Sequence, residues 1–299
     1  MDLLNDRRWV TDGGLETDLI FNRGLDLPEF AAFPLVEEAS GREVLTQYFD
    51  GYADVARRAG AGLVMETPTW RANPDWGALL GYDAAALDRV NRGAVGFLHG
   101  RREAHGDLDA VLVGGTLGPR GDGYVAGERL SAEGYADYHR PQLASFKAAD
   151  ADLATVLTLV GTDEALGVVA AARDVGLPVA VGFTVETDGR LADGTPLRQA
   201  IEDVDAAGGP DWFVVNCAHP VHVSPGLDGA GPWDRIGGFR PNASQLSHAE
   251  LDEAEELDEG DPAELRASYD VVAERLPSLR VLGGCCGTDA RHVAALWGV

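Results

Sequence analysis

EVLTQYFDGYADVARRAGAGLVMET, residues 43–67, holds one complete unit of the fold. Its first part places Val44, Leu45, Tyr48, Phe49, Tyr52, Val55 and Ala56 on one helical face, spaced by three and four residues. Gly60 stands where such a helix stops, because glycine enters the left-handed cap without a Cβ penalty. The run that follows, GLVMET (62–67), is short and apolar almost throughout. That pattern fits a parallel strand covered on both faces.

The unit recurs along the chain. Strands are predicted at 8–13, 62–67, 110–116, 153–160, 178–185, 211–217, 235–241 and 279–285. TDEALGVVAAARDVG repeats the amphipathic helix, with Thr162 expected as N-cap and Gly176 past the end. Thr288 and Asp289 are expected to cap a short helix through Trp297. Eight β runs separated by helices predict an α/β fold, a (β/α)8 TIM barrel, forming a single domain over 1–299. The alternative is a doubly wound open sheet, but no GxGxxG follows a strand. GGTLGPRGDG (114–123) lacks the GK[ST] ending of a phosphate loop and reads as a turn shaping a pocket mouth. Two segments read as peripheral: an acidic, solvated run at 250–264, and a connection at 23–41 that covers the site or decorates it.

Composition narrows the partners. The formal net charge is −25, with 49 acidic residues against 24 basic ones, and Lys147 is the only lysine. Such a surface repels nucleic acid and anionic lipid and mildly favours a cationic substrate, within the roughly 10 Å that salt allows. No run approaches the ~20 apolar residues of a membrane helix, and the first ten residues lack a signal-peptide core. The expectation is a cytoplasmic protein acting on small molecules.

In a barrel of this kind chemistry collects at the C-terminal ends of the strands. The predicted strands end there with Asp12, Glu66 and Thr67, Thr116, Thr158, Thr184, Asn216 and Cys217, Asn242, and Cys285 and Cys286. All three cysteines of the chain therefore share one rim. Three thiolates suit Zn²⁺ and leave one tetrahedral position open, as catalytic zinc sites do. Gly283, Gly284 and Gly287 allow the backbone to bend around such an ion. Other readings stand beside this one. Cys217 is a core residue, His219 or His222 supplies an imidazole ligand, or the vicinal pair is redox-active, although no CxxC is present.

The segments TDGGLETDL (11–19), ETPTWRAN (66–73), VGGTLGPRG (113–121), GRLADGTPL (189–197), VVNCAHP (214–220), RPNAS (240–244) and LGGCCGTD (282–289) resemble, in order, the motifs of the homocysteine S-methyltransferase family. The resemblance spans nearly the whole chain. It implies a (β/α)8 barrel in which Cys217, Cys285 and Cys286 bind zinc and carry catalysis, methylating the thiol of homocysteine to give methionine. It implies that Asp12 and Gly13 form an amino-acid-binding turn, and that Asn242 fills the fourth zinc position when no thiol is bound. Glu66, Thr67 and Asn216 complete the expected substrate-binding set. Two departures stand out: Leu157 replaces a glutamate that holds the amino group of homocysteine, and Phe30 replaces a tryptophan. Glu66 or Glu186 is the candidate substitute for the missing carboxylate.

The chemistry of thiols agrees with the resemblance. A free thiol with pKa near 8.5 is a few per cent thiolate at neutral pH, and metal binding deprotonates it. The methyl donor is expected to be an onium compound with a neutral leaving group, held against aromatic faces. S-methylmethionine or S-adenosylmethionine is the first expectation and betaine the next, since 299 residues leave no room for cobalamin and folate modules. Another small thiol or selenol acceptor, and a barrel that keeps zinc only for structure or binding, are the alternatives.

Overall fold

Eight parallel strands close on themselves in sequence order, each followed by a helix on the outside. The computed structural model describes residues 2–299 except 126 and 255. The strands are β1 (Trp9–Val10), β2 (Gly62–Glu66), β3 (Val111–Leu117), β4 (Leu153–Leu159), β5 (Val179–Phe183), β6 (Trp212–Asn216), β7 (Ile236–Arg240) and β8 (Val281–Leu282). Closure is made by β1 on β8, with Trp9 opposite Val281 and Val10 opposite Leu282. This is the predicted (β/α)8 barrel.

Period-two alternation divides the strand side chains between two cores. Val10, Leu63, Met65, Val156, Val181, Phe213 and Val215 belong to one apolar shell with the helices. Trp9, Val64, Leu153, Leu157, Ala180, Trp212, Val214 and Val281 form a second cluster. Bulky and small residues complement each other inside the barrel, where Gly62 leaves the room that the Trp9 ring fills. The same alternation puts Glu66, Asn216 and Arg240 in register with Val64 and Val214 at the ends of β2, β6 and β7. The inner row thus turns from apolar to charged at one mouth of the barrel.

The helices follow their sequence signals with two adjustments. Ala39–Ala59 starts earlier than its apolar stripe and ends at Gly60 in the left-handed conformation, as expected. Thr162 is the first helical residue of Thr162–Val175, not its cap; extended Gly161 holds the cap position, and Gly176 closes the helix. Asp289 caps Ala290–Trp297 by accepting from the backbone of Arg291 and His292.

β1 and β8 are shorter than their sequence runs because the backbones leave the regular ladder at the glycines. They stay bonded beyond it, Thr11 N–H donating to Leu282 O (3.2 Å) and Gly284 N–H to Asp12 O (2.8 Å). A Cβ at Gly283 would lie 2.5 Å from Asp12 O, and one at Gly14 2.5 Å from Cys285 O. No side chain fits at either position, so the β1 turn and the Cys285–Cys286 turn lie directly against each other.

Candidate active site

Cys217 follows β6 directly and has φ +55°, a left-handed backbone that is uncommon for a residue with a side chain. Thr158 on β4 has φ +66°, rarer still for a β-branched residue. Asn216 joins them, accepting from Thr158 N–H (2.9 Å) and donating to its hydroxyl (2.8 Å). Two strained residues clamped by one buried amide mark a position that the surrounding structure enforces.

The result is a cluster of sulfur. Cys217 Sγ lies 2.6 Å from Cys285 Sγ and 3.5 Å from Cys286 Sγ, and the three Sγ atoms fall within 4.8 Å of one another. Zn–S bonds of ~2.3 Å in tetrahedral array separate sulfurs by roughly 3.8 Å. The Cys217–Cys286 pair already has nearly that spacing, and the Cys217–Cys285 pair falls about 1 Å short of it. The donor set is soft and buried or half-buried, and it fits a thiophilic ion. The cysteines share charge unequally. Hydrogen bonds from Cys217 and Cys286 hold the Cys285 thiol well below its ordinary value, with Arg240 adding to the effect. Its hydrogen bonds with Cys285 and Cys286, and then burial, push Cys217 up.

The histidine alternative is not built. His219 caps the helix Pro220–Gly226 by accepting from Val221 N–H, and burial pulls its pKa down to about 4. Among the described residues, only the three cysteines form a cluster with metal-binding spacing.

A cavity of about 410 Å³ opens onto the sulfurs. Asp12, Gly13, Glu66 and Thr67, named from the sequence as substrate-binding candidates, line it. Asn216 acts from behind, its amide 3.9 Å from Cys285 Sγ. Asn242 does not line the cavity. Its amide donates to Cys217 O (3.1 Å), while its Oδ1 is buried without a partner among the described residues. The group that does face the sulfurs is Tyr124, whose hydroxyl lies 3.3 Å from Cys217 Sγ and 3.4 Å from Cys286 Sγ. Burial, then the neighbouring cysteines, raise that phenol well above its ordinary value, so it remains a donor. Its ring stacks on His248 at 4.1 Å. His248 lies between Glu186, 2.9 Å from its Nδ1, and the carbonyl of Cys217, 2.7 Å from its Nε2.

Arg240 is the second group the sequence reading missed. It is buried and pairs with both Asp12 and Glu66, while its Nε donates to Gly284 O (2.9 Å). Burial pushes both carboxyls up, and the guanidinium pulls each back. Glu66 is therefore already engaged, and Glu186 is held by His248 outside the cavity lining. Glu16 lines the cavity with no ion pair among the described residues, and burial lifts it to about 7. Leu157 lines it too, in the apolar cluster.

The acidic segment is not merely peripheral, since Asp252, Glu256 and Asp258 line the mouth. Phe30, from the long first connection, lines it as well. Asp122, Gly123 and Tyr124 of the loop after β3 complete the wall, in keeping with a turn that shapes the pocket. Among the described residues seven carboxylates line the cavity against two guanidinium groups.

The family model described as homocysteine S-methyltransferase matches residues 9–298. The metallated form of the homocysteine methyltransferase MmuM from Escherichia coli superposes with a TM-score of 0.75 at 24% identity, covering 98% of this chain and 96% of that one. Its oxidized form gives 0.75 at 23% identity (97% and 95% covered), and its apo form 0.69 at 23% (98% and 96%). At these identities the likeness speaks for the fold. No curated protein sequence gives a significant match.

Proposed function

The chain belongs to the homocysteine S-methyltransferase family, and from that premise we propose that it moves a methyl group from an onium donor to the thiol of homocysteine, giving methionine, with zinc held by Cys217, Cys285 and Cys286. The observation that carries this reading is the convergence of three Sγ atoms within 4.8 Å at the floor of a cavity of substrate size. When bound, zinc supplies the Lewis acidity that ionises an acceptor thiol at neutral pH.

The chain's own residues supply the rest. Asn216 and the left-handed backbone at Cys217 aim the cysteines inward. Glu16 and the Gly13 turn offer carboxyl and backbone partners to the amino-acid end of the acceptor. The acidic mouth favours a cation, and low-dielectric walls strengthen that preference. Trp70, Tyr124 and Phe30 line the same cavity and offer π faces to an onium centre. In the transfer, the bond from methyl carbon to the acceptor sulfur forms as the bond to the donor heteroatom breaks. The donor keeps that electron pair and leaves neutral, and the acceptor's thiol proton passes to solvent. S-methylmethionine and S-adenosylmethionine fit this surface better than betaine because their amino group adds a second positive charge. The reaction belongs in a reducing compartment, the cytoplasm, where three adjacent thiols stay available. No helix among the described residues is long and apolar enough to cross a membrane.

A turnover assay with homocysteine and each of the three donors tests the reading. Methionine is expected from at least one sulfonium donor. Turnover of other thiols or selenols with none of homocysteine would overturn the acceptor assignment.

A further inference from the structure

Two cations line the cavity, and only one of them is committed. Arg240 is taken by Asp12 and Glu66. Arg71, in the loop after β2, makes no ion pair among the described residues. Its Nη1 donates to the carbonyl of Glu29, and its Nε is buried without any hydrogen-bond partner among them. Three aromatic rings fix the guanidinium in place: Trp76 at 3.8 Å, Trp70 at 5.2 Å and Phe30 at 5.6 Å. Burial works against its charge, and the fields of Asp122 and Glu16 partly restore it.

Most arginines of this chain pair with a carboxylate, and Arg71 is in the minority that lacks one among the described residues. One that does so at a cavity wall, rigid and with an unsatisfied buried donor, is poised for an anion from outside. A planar guanidinium matches a carboxylate in a bidentate fork. The onium donors considered above each carry a carboxylate at the end away from the transferred methyl. On that reading the acceptor's amino-acid end has its own partners at the Gly13–Gly14 turn, packed against Cys285. Arg71 keeps company instead with Glu29 and Phe30 of the outer connection.

We propose that Arg71 binds the carboxylate of the methyl donor, so that the cavity selects an onium bearing a carboxylate over a simple alkyl onium. The assignment rests on the methyltransferase reading above and adds a specificity-determining residue to it. Arg71 then holds the far end of the donor while the onium centre meets the acceptor sulfur.

The test uses the metal-loaded full chain, the variants R71A and R71K, and two donors that differ by one group: S-methylmethionine and (3-aminopropyl)dimethylsulfonium, its counterpart without the carboxylate. In R71A the KM for S-methylmethionine should rise about tenfold or more, the loss expected of a charge-assisted bond. The KM for the decarboxylated donor should change less than about twofold, and R71K should recover part of the loss as a point charge without the fork. Equal losses with both donors would assign Arg71 a structural role and overturn the proposal. So would a rise confined to the KM for homocysteine, which would give the carboxylate to the acceptor. Equilibrium dialysis separates this inference from the methyl-transfer reading. If no donor is turned over, that reading fails. A wild-type preference of about tenfold for S-methylmethionine over its decarboxylated counterpart, lost in R71A, still supports the contact, and no preference in the wild type overturns it.

Discussion

The hydroxyl of Tyr124 lies 3.3 Å from Cys217 Sγ, although 93 residues separate them in sequence. Under the proposed function, the phenol stands where an acceptor sulfur would approach the cluster and would withdraw before the thiol binds. Replacing Tyr124 with Phe keeps the ring on His248 and removes the obstructing donor. Homocysteine should then bind a few-fold more tightly by calorimetry, with the donor KM unchanged. Weaker homocysteine binding would instead make the hydroxyl a substrate contact.

Arg240 and its two carboxylates form a buried triad, and breaking it from either side should have unequal consequences. R240M leaves Asp12 and Glu66 buried without a counter-charge and should cost about 3–5 kcal/mol in chemical denaturation. E66Q preserves the Arg240–Asp12 pair and should cost roughly 1–3 kcal/mol. If the two variants lose equal stability, Arg240 is not the counter-charge on which both carboxylates depend.

Glu16 gives a pH signature whose sign is fixed. Burial, with Asp12 and Cys285 adding, lifts its carboxyl from 4.5 to about 7. Between those values the folded chain holds a proton that the unfolded chain gives up. That contribution is fully present below pH 4.5 and is lost as the pH rises through about 7. In denaturation series from pH 4.5 to 8, the stability of wild type relative to E16Q should therefore fall with rising pH. A constant difference across the range would refute the assignment.

What the sequence reveals here is set by the reach of each interaction. Strand positions are legible because burial on both faces writes a local apolar run, and Gly60 and Gly176 mark helix ends through one backbone angle each. The cysteine site is legible because strand ends share a rim whatever their distance along the chain. The pairing of Arg240 with Glu66 crosses 174 residues and leaves no local trace, so Glu66 reads as free when it is bound. Tyr124 is hidden for the same reason, in a loop whose glycines speak only of a turn. The acidic run at 250–264 is solvated, as its dense charge suggests, and Asp252, Glu256 and Asp258 are exposed; the charge pattern does not tell that these three also border the cavity. The short β1 and β8 reflect backbone contact at Gly14 and Gly283, which apolar pattern does not encode.

The most direct test of the account is the metal content of the purified wild-type chain and of C286A, measured by elemental analysis with turnover of homocysteine on the same samples. The account predicts about one zinc per wild-type chain, and a folded C286A barrel that has lost both zinc and turnover. Full homocysteine methylation by metal-free wild-type protein, or a full complement of zinc in C286A, would contradict it.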